Sequence, residues 1–567
     1  MDHPGGEVLV ATPEPTQREP QPRASRVKSW VLPLATVAVV ATLPLVELWR
    51  APGPPMEEGF MLVFPELVLR GDVPNRDFLH LYGPGSLWAL AGAFKAFGTT
   101  LATERAVGLL QQLALVLSVV VAVRPWGRWV AAAGGAVSAM VVLPTIGLTA
   151  LAWIGGVALG LWSLNSALGS LTPPPASSTA RRRLLLGGVL AGLALLYRPD
   201  LALALGLSAL VLWRGLDRVG RTRLLAGAAL GVSPYLVHLV TAGPGNVVQG
   251  LVLDPVFELR GGRRLPLPPS WSHFDGFLQR AGQLIEPAWP LPAPPTPAQL
   301  SLWLGLLLAA NVALVVAGVR ALRRGDRRLL VLALFSVGLL PQALQRADST
   351  HLAWASCVPL GLLPAAVAEL VGAWRPRWSR SRTAIAAAVP ALATMALAPH
   401  FTWALYVDHV GRSFGLSDLE AGTIRHDGRI FHYGRLDAVA AVSEMLPEVE
   451  RIAQPGDTLF VGTGDLRKTP YSEAFLYHLL PELEPATRYI EMDPGMANSE
   501  DSGMADELRQ ADIVILSSIR DDWVEPNDSR EFGPNEPNEV IDREFCLVES
   551  YGEGPFGRGL YELYRRC

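Results

Sequence analysis

Residues 56–85 read MEEGFMLVFPELVLRGDVPNRDFLHLYGPG, and the rest of the chain is organised around this stretch. It follows one apolar run of about membrane length and precedes the next, so the sequence predicts a loop at a membrane face. Its charged side chains include the carboxylates Glu57, Glu58 and Asp77, which lie among the basic residues Arg70, Arg76 and His80. Acidic groups held at a bilayer are usually functional, because burial and neighbouring charges tune their protonation. We therefore interpret this stretch as the candidate site, against the alternative of a solvated loop without a role.

The composition is that of a membrane protein. Of the 567 residues, 50% are hydrophobic and only 18% are charged, which is less charge than soluble domains usually carry. The apolar residues form long runs that are separated by short loops rich in arginine. This pattern predicts a mostly α polytopic membrane protein rather than a large soluble core. The net charge of −4 argues against nucleic acid as a partner.

The apolar runs predict about eleven transmembrane helices. The runs cover residues 31–49, 106–123, 129–146, 149–168, 184–197, 201–213, 224–241, 300–319, 328–342, 352–371 and 383–400. They define a transmembrane domain over 31–400. The residues before it, 1–30, are rich in Pro, Gln, Arg and Glu, and we predict a disordered cytoplasmic tail.

The distribution of arginine predicts the orientation of the helices. With the N-terminus inside, every loop assigned to the cytoplasm is basic; these loops are 124–128, 181–183, 214–223, 320–328 and 375–382. The alternate loops hold acidic residues, among them Glu57, Asp77 and Asp348. The positive-inside rule therefore predicts a multi-pass protein of the cell (inner or plasma) membrane, with the Glu57 loop on the outer side.

Residues 401–567 lose the long apolar runs and gain Asp, Glu, Asn and Pro. Helices are predicted at 436–452, 472–480 and 504–510, and strands at 457–462, 488–490, 512–516, 546–550 and 560–564. The alternation predicts a soluble α/β domain. Because an odd number of spans precedes it, the domain is predicted on the extracytoplasmic side. Three cysteines show no metal-ligand spacing; Cys546 and Cys567 would pair if their strands are adjacent and the compartment is oxidising.

Four groups of residues, taken in chain order, resemble a known family. They are the acidic pair 57–58, the run GDVPNRDF at 71–78 with Tyr82 and Pro84 after it, YRPD at 197–200, and RAD at 346–348 followed by His351. Their order and shared outer side resemble the GT-C superfamily of membrane glycosyltransferases, in particular the bacterial protein-mannosyltransferase-like and lipid-A-modifying branch. The family usually has Asp-Glu where this chain has Glu-Glu.

The resemblance implies a sugar donor carried on a polyprenyl phosphate or diphosphate, whose lipid chain stays in the membrane. It also implies an acceptor hydroxyl on a glycan, lipid or protein. One carboxylate takes the acceptor proton, inversion is expected, and cations stabilise the leaving phosphate. The implied catalytic candidates are Glu57, Glu58 and Asp77, of which Glu57 stands in the place of the family's Asp. The implied phosphate-binding residues are Arg198, Arg346 and His351, and the further substrate-site residues are Arg76, His80, Tyr82 and Asp348. No metal ligands are predicted; a divalent metal is left open because some members need one.

Structural alternatives stay open for these residues. Two ion pairs need no substrate to explain them, and these are Arg76 with Asp77 and Arg198 with Asp200. Arg346, Asp348 and His351 do not share one helical face at their spacing, so a loop has to gather them.

Two other function classes compete with an enzyme. One is a transporter or flippase of lipid-linked intermediates, and the other is a non-enzymatic envelope assembly factor. Transporters tend to show repeated halves and a site at the membrane midplane. This sequence shows no internal repeat, and its polar residues cluster on one predicted side. An assembly factor would tolerate alanine at both Glu57 and Glu58.

Overall fold

The computed structural model describes residues 23–171, 177–276, 279, 295–374, 379–416 and 421–567. Most of the predicted N-terminal tail, residues 1–22, lies outside this part, and a helix already begins at Arg23. The described chain has a helical part that extends to Ser413, followed by a part with β-strands that begins at Gly422. We call the second part, residues 421–567, the C-terminal region.

The described helical part contains the α-helices Arg23–Thr42, Leu45–Arg50, Pro55–Arg70, Pro84–Phe97, Leu101–Val123, Arg128–Ile146, Ala152–Ser170, Ser178–Tyr197, Ala202–Trp213, Arg218–Val232, Pro234–Ala242, Pro244–Val248, Leu259–Arg263, Pro297–Arg323, Arg328–Gly338, Leu340–Gln345, Ser349–Trp374, Ser379–Leu397 and Leu405–Ser413. π-Helical segments cover Gln249–Glu258 and His400–Ala404. The apolar core includes Trp303 and Phe335, which are fully buried.

Six helices of the described chain are long and apolar enough to cross a membrane, and they are Leu101–Trp126, Arg128–Ile146, Arg218–Ala242, Pro297–Arg323, Arg328–Gln345 and Ser349–Gly372. A seventh span results if Ser381–Leu397 and His400–Ser413, which meet at 108°, form one broken span. The predicted eleven spans are therefore not confirmed. The runs at 31–49 and 201–213 are interrupted or shortened because Pro44 and Pro199 stand where one helix stops and the next begins.

The predicted loop at 56–85 contains a helix, Pro55–Arg70, and leads into a second, Pro84–Phe97. Both begin with proline at the first helical position, where its missing N–H costs nothing. The acidic pair lies in the first turn of the earlier helix, where negative charges interact favourably with the helix dipole. That helix ends at Gly71, whose φ of 111° suits glycine. The prediction of a loop was wrong for residues 55–70, because the apolar residues that follow the acidic pair are buried on packing and the segment is helical.

A close backbone contact places the second helix against the helix Ser178–Tyr197. The main-chain N–H of Gly83 donates to the carbonyl of Tyr197 over 3.1 Å. A Cβ at Gly83 would lie 2.0 Å from the carbonyl oxygen of Leu196, so only glycine allows this approach. The contact brings the neighbours of these residues, Tyr82 and Arg198, together.

The C-terminal region contains a mixed sheet and a separate hairpin. Its strands are β1 (Gly422–His426), β2 (Arg429–Tyr433), β3 (Thr458–Thr463), β4 (Glu484–Pro485), β5 (Ile513–Ser517), β6 (Phe545–Tyr551) and β7 (Tyr561–Arg566). Strands β1 and β2 pair antiparallel, and the five-stranded sheet has the order β4-β3-β5-β7-β6. The ladders β3–β4 and β3–β5 are parallel, and β5–β7 and β6–β7 are antiparallel. The helices are Leu436–Ile452, Phe475–Leu479, Met504–Leu508 and Glu536–Glu544.

Most predicted elements of this region are confirmed, with one exception. Residues 488–490 do not form a strand, and β4 pairs at the sheet edge instead. The physical reason is a tertiary hydrogen bond, since the Arg488 carbonyl accepts from the Leu79 N–H over 3.0 Å. The β1–β2 hairpin and the helix Glu536–Glu544 were not predicted. Cys546 and Cys567 form a disulfide because β6 and β7 are neighbours.

The C-terminal region packs directly on the helix that carries the acidic pair. The short helix Phe475–Leu479 crosses it so closely that a Cβ at Gly59 would lie 2.9 Å from the Phe475 main-chain nitrogen. Beside this contact, Arg429 binds Glu66 with two hydrogen bonds of 2.7 and 2.9 Å. The two parts of the chain therefore meet along the helix Pro55–Arg70, from Gly59 to Glu66.

We expect Gly59→Ala to weaken this contact. Overpacking of a tight site typically costs about 1–3 kcal/mol, more than the helix gains from alanine. Heat unfolding in detergent and protease cleavage of the C-terminal region measure the effect. Gly92→Ala is the matched control, because a Cβ there would meet nothing within 4 Å. Equal behaviour of the two variants would contradict the packing argument.

Candidate active site

Glu58 is committed to a buried ion pair. Its side chain is fully buried, and its two carboxylate oxygens accept from Nε and Nη2 of Arg105 over 2.8 and 2.9 Å. The same guanidinium donates from Nη1 to the Trp49 carbonyl over 2.6 Å. This bidentate arrangement ties the start of Pro55–Arg70 to the helix Leu101–Val123. Glu58 therefore has a structural partner, which makes it a weaker candidate for the base.

Asp77 is held by its sequence neighbour. The Arg76 guanidinium donates to both carboxylate oxygens over 2.9 and 2.8 Å, and the Val73 N–H donates over 2.7 Å. These hydrogen bonds, with the one from Arg76 largest, lower the pKa of Asp77. The Asp77 side chain is 34% exposed. Arg76 and Asp77 thus form the ion pair that needs no substrate to explain it.

Glu57 differs from both, although it is adjacent to Glu58. Consecutive helical residues point about 100° apart, so Glu57 does not share the direction of Glu58, which faces Arg105. Its side chain is partly exposed. No other described residue donates a hydrogen bond to its carboxylate. Burial raises the pKa of Glu57, and the charges of His351, Arg520 and Arg263 oppose this increase.

His80 and Tyr82 line the side of the site that leads towards Arg198. His80 is fully buried and packs edge-on against Phe64 and Tyr82. Burial lowers its pKa to about 3, so His80 is neutral at physiological pH. Tyr82 lies near Glu57, and burial raises the pKa of its hydroxyl. His80 therefore acts here as a neutral packing group rather than a cation.

Arg198 lies under two aromatic rings beside Asp200. Its guanidinium carbon is 4.4 Å from the Tyr82 ring centroid and 4.9 Å from that of Trp153. Nε and Nη2 donate to the Asp200 carboxylate over 2.9 and 2.7 Å. Arg198 is 7% exposed, whereas the Asp200 side chain is 50% exposed. The ion pair is thus accessible from the carboxylate side, where an incoming anion could replace Asp200.

Arg346, Asp348 and His351 are gathered at the start of a helix, as their spacing required. Arg346 is in an extended conformation after Leu340–Gln345, and Asp348 immediately precedes Ser349–Trp374. The Asp348 carboxylate accepts from Nε of Arg346 over 2.8 Å and from the His351 N–H over 2.9 Å. It also contacts the His351 ring at 2.9 Å, and these groups hold its pKa at about 2 despite burial.

Arg346 makes its strongest contacts with the C-terminal region. Nη1 and Nη2 donate to the two carboxylate oxygens of Glu525 over 2.8 and 2.6 Å, and Nη1 also donates to the Arg263 carbonyl over 2.8 Å. With Asp348 on Nε, most of its donors are occupied. Arg346 is suited to hold Asp348 and, through it, His351.

Three further charged residues, Arg263, Glu491 and Arg520, were not among the predicted site residues. Arg263 pairs with Asp493 and, at 3.7 Å, with Glu491. Arg520 lies 3.5 Å from Glu473 and 5.6 Å from the ring of Tyr471. The cluster of arginines at 260–264 was one available signal for Arg263. Glu491 and Arg520 carried no such signal, since they are single charges in a region without the family's motifs.

The candidate ligands do not form an assembled metal site. In the described ranges, no group of three His, Cys, Asp or Glu side chains has the arrangement of a metal centre. Glu58 and Asp77 are both paired with arginine. We therefore derive no step of the chemistry through a metal.

Comparison with known proteins identifies the fold. No family model and no curated protein matches the chain. Among solved structures, the chain is similar to ArnT from Cupriavidus metallidurans bound to undecaprenyl phosphate, with a TM-score of 0.51, 14% identity, and coverage of 94% of this chain and 98% of that chain. ArnT in the apo state gives a TM-score of 0.51 and 13% identity, with 95% and 98% covered. An oligosaccharyltransferase from Archaeoglobus fulgidus is more distant, with a TM-score of 0.47, 12% identity, and 95% and 76% covered.

The ArnT similarity extends over nearly the whole of both chains, so it includes the helical part and the C-terminal region together. The resemblance drawn from the sequence motifs is confirmed at the level of the fold. The chain has the fold of the GT-C membrane glycosyltransferases.

Proposed function

We propose that the protein is an integral-membrane glycosyltransferase that moves a sugar from a polyprenyl-phosphate donor to an acceptor hydroxyl. The observation that carries the proposal is the position of Glu57. Of the three candidate carboxylates it alone lacks an arginine partner among the described residues, and it faces His351, Arg263 and Arg520 where the two parts of the chain meet. The fold supports the same class of function, because the similar ArnT structure holds undecaprenyl phosphate.

An apolar groove supports a lipid-linked donor. It is lined by Leu195, Pro199, Ala202, Tyr235, Val248 and Leu251, and Pro199 directly follows Arg198. A prenyl chain in this groove would bring its phosphate to Arg198. Arg198 and His351 are the residues we assign to the phosphate, since arginine matches phosphate oxygens with two parallel hydrogen bonds. Arg346 supports His351 through Asp348.

In the proposed reaction the acceptor oxygen attacks the anomeric carbon from the face opposite the phosphate. The acceptor proton moves to the Glu57 carboxylate, the new carbon–oxygen bond forms, and the sugar–phosphate bond breaks with its electron pair on the phosphate. The sugar is transferred with inversion. The negative charge that grows on the phosphate is stabilised by the cations around it. We propose the outer side of the membrane for this site, on the arginine distribution of the loops.

The experiment is a transfer assay with purified protein in lipid nanodiscs. Polyprenyl-phosphate sugars and hydroxyl-bearing glycans, lipids and peptides are supplied in pairs, and the product and the configuration of its anomeric carbon are determined. Transfer with inversion at the anomeric carbon supports the proposal. Retention of the anomeric configuration would overturn a direct displacement with Glu57 as the base. A protein that moves the donor between leaflets without transferring its sugar would instead be the flippase considered above.

Replacing Arg198 by glutamine should weaken donor binding. Loss of a charge-assisted contact typically costs about 1.5–3 kcal/mol, which is a factor of roughly 10–150 in Kd. Binding of a polyprenyl phosphate to the nanodisc protein measures it. Arg181→Gln is the matched control, since Arg181 is an exposed residue near the other end of the same helix. Equal affinity of both variants would remove Arg198 from the phosphate site.

A further inference from the structure

Glu525 is a buried carboxylate of the C-terminal region that the proposed reaction does not use. It is 2% exposed, and its two oxygens accept from Nη1 and Nη2 of Arg346 over 2.8 and 2.6 Å. The side-chain amide of Asn527 donates to Glu525 over 3.1 Å and to the Arg264 carbonyl over 3.0 Å. Glu525 is therefore held between its own segment and the helical part of the chain.

The carboxylate of Asp348 is shared between Arg346 and His351. Its Oδ2 accepts from Nε of Arg346 over 2.8 Å, and its Oδ1 accepts from the His351 main-chain N–H over 2.9 Å. It also contacts Nδ1 of the His351 ring at 2.9 Å, which leaves Nε2 for a ligand. Asp348 is fully buried and Arg346 is 3% exposed, so the buried guanidinium is compensated by Asp348 and Glu525. A continuous series of hydrogen bonds thus joins Glu525 to His351.

We propose that Glu525 is a positioning residue of the donor-phosphate site. It acts on His351 through Arg346 and Asp348, and its effect on donor binding rests on the proposed function. Arg346 uses both Nη atoms on Glu525 and only Nε on Asp348. Without the Glu525 charge, the buried guanidinium would turn its two-donor edge to Asp348. Asp348 would then be drawn away from His351, whose ring would lose the contact that fixes its direction.

The experiment measures binding of undecaprenyl phosphate to the full chain in nanodiscs. His351→Gln removes a charge-assisted contact and should raise Kd by a factor of roughly 10–150. Glu525→Gln should raise Kd by about tenfold, the lower end of that range. Because Glu525 acts through His351, the double variant should bind like His351→Gln alone. Effects of the two substitutions that multiply would overturn the proposal, since a general loss of structure would add to the loss of His351.

Glu66→Gln is the matched control. It weakens another ion pair between the two parts of the chain, in which Arg429 donates to Glu66 over 2.7 and 2.9 Å. This pair shares no residue with the series from Glu525 to His351. Glu66→Gln should make the C-terminal region easier to cleave by protease and leave Kd unchanged. An equal loss of affinity in Glu66→Gln and Glu525→Gln would contradict the proposal, because docking of the C-terminal region would then explain both.

A second readout needs neither donor nor turnover. Hydrogen exchange at the His351 main-chain amide, which bonds to Asp348, should be faster in Glu525→Gln than in the wild type and unchanged in Glu66→Gln. Unchanged exchange in Glu525→Gln would remove the positioning role. If the wild type binds no undecaprenyl phosphate, the proposed function fails, and the exchange still decides whether Glu525 positions His351. Should Glu525→Gln not fold, Arg346→Lys replaces it, since lysine keeps the charge but lacks the planar fork that holds both carboxylates.

Discussion

Replacing Glu57 by glutamine is expected to reduce sugar transfer by a factor of roughly 10²–10⁴, the usual contribution of a positioned general base. Glutamine keeps the shape of the side chain and cannot accept the acceptor proton. The fold should persist, because no described residue depends on a hydrogen bond to the Glu57 carboxylate. Donor binding should also persist, since the phosphate is assigned to Arg198 and His351. Single-turnover transfer rates and polyprenyl-phosphate affinity separate the two effects.

Two variants test the assignment of the base to Glu57. Glu57→Asp should be milder, since it restores the carboxylate that the GT-C family usually carries there. Asp77→Asn should change transfer little, because Asp77 is already bound by Arg76 and the Val73 N–H. Near-normal turnover of Glu57→Gln together with loss of turnover in Asp77→Asn would move the base to Asp77. No effect from either variant would show that the active site lies elsewhere.

Replacing Glu58 by alanine is expected to destabilise the protein by about 3–5 kcal/mol, as when one partner of a buried ion pair is removed. Arg105 is 2% exposed and would be left without the carboxylate that binds it in two places. Arg105→Ala should have a similar effect for the converse reason. The midpoint of heat unfolding in a fixed detergent measures the loss.

A double variant separates the ion pair from other roles of Glu58. Glu58→Leu with Arg105→Met removes both charges, so it should recover much of the stability lost in the single variants. Transfer per folded molecule should then stay close to that of the wild type. A Glu58→Ala protein that unfolds normally and transfers no sugar would reverse the roles of the two adjacent glutamates.

The membrane class of the protein could be predicted because hydropathy is a local property. The runs at 106–123, 129–146, 300–319 and 352–371 are each long and uniformly apolar, and each coincides with a spanning helix. The number of spans could not be predicted, since it depends on how a helix bends. Pro44 interrupts the run at 31–49, and Pro199 separates the two short runs at 184–197 and 201–213.

The C-terminal region shows the same limit. Strands β3 and β5 were predicted because each is a short run of buried apolar residues bounded by turn residues. Residues 488–490 have a similar local pattern, but Arg488 bonds to Leu79 and not to the sheet. A strand forms only when it pairs with another strand, and local sequence does not show which segment that will be.

The sequence alone is enough to predict carboxylates beside a membrane helix, followed by arginines in the order of the GT-C motifs. Which carboxylate is available depends on the packing of the folded chain. Glu57 and Glu58 are chemically alike and adjacent, yet a rotation of about 100° along the helix directs Glu58 to Arg105 and Glu57 away from it, where His351, Arg520 and Arg263 act on it. Arg429 contacts Glu66 of the same helix from 363 positions away along the chain. Charge balance in a buried site depends on distances in space, and these are set by packing between parts of the chain that are remote in sequence.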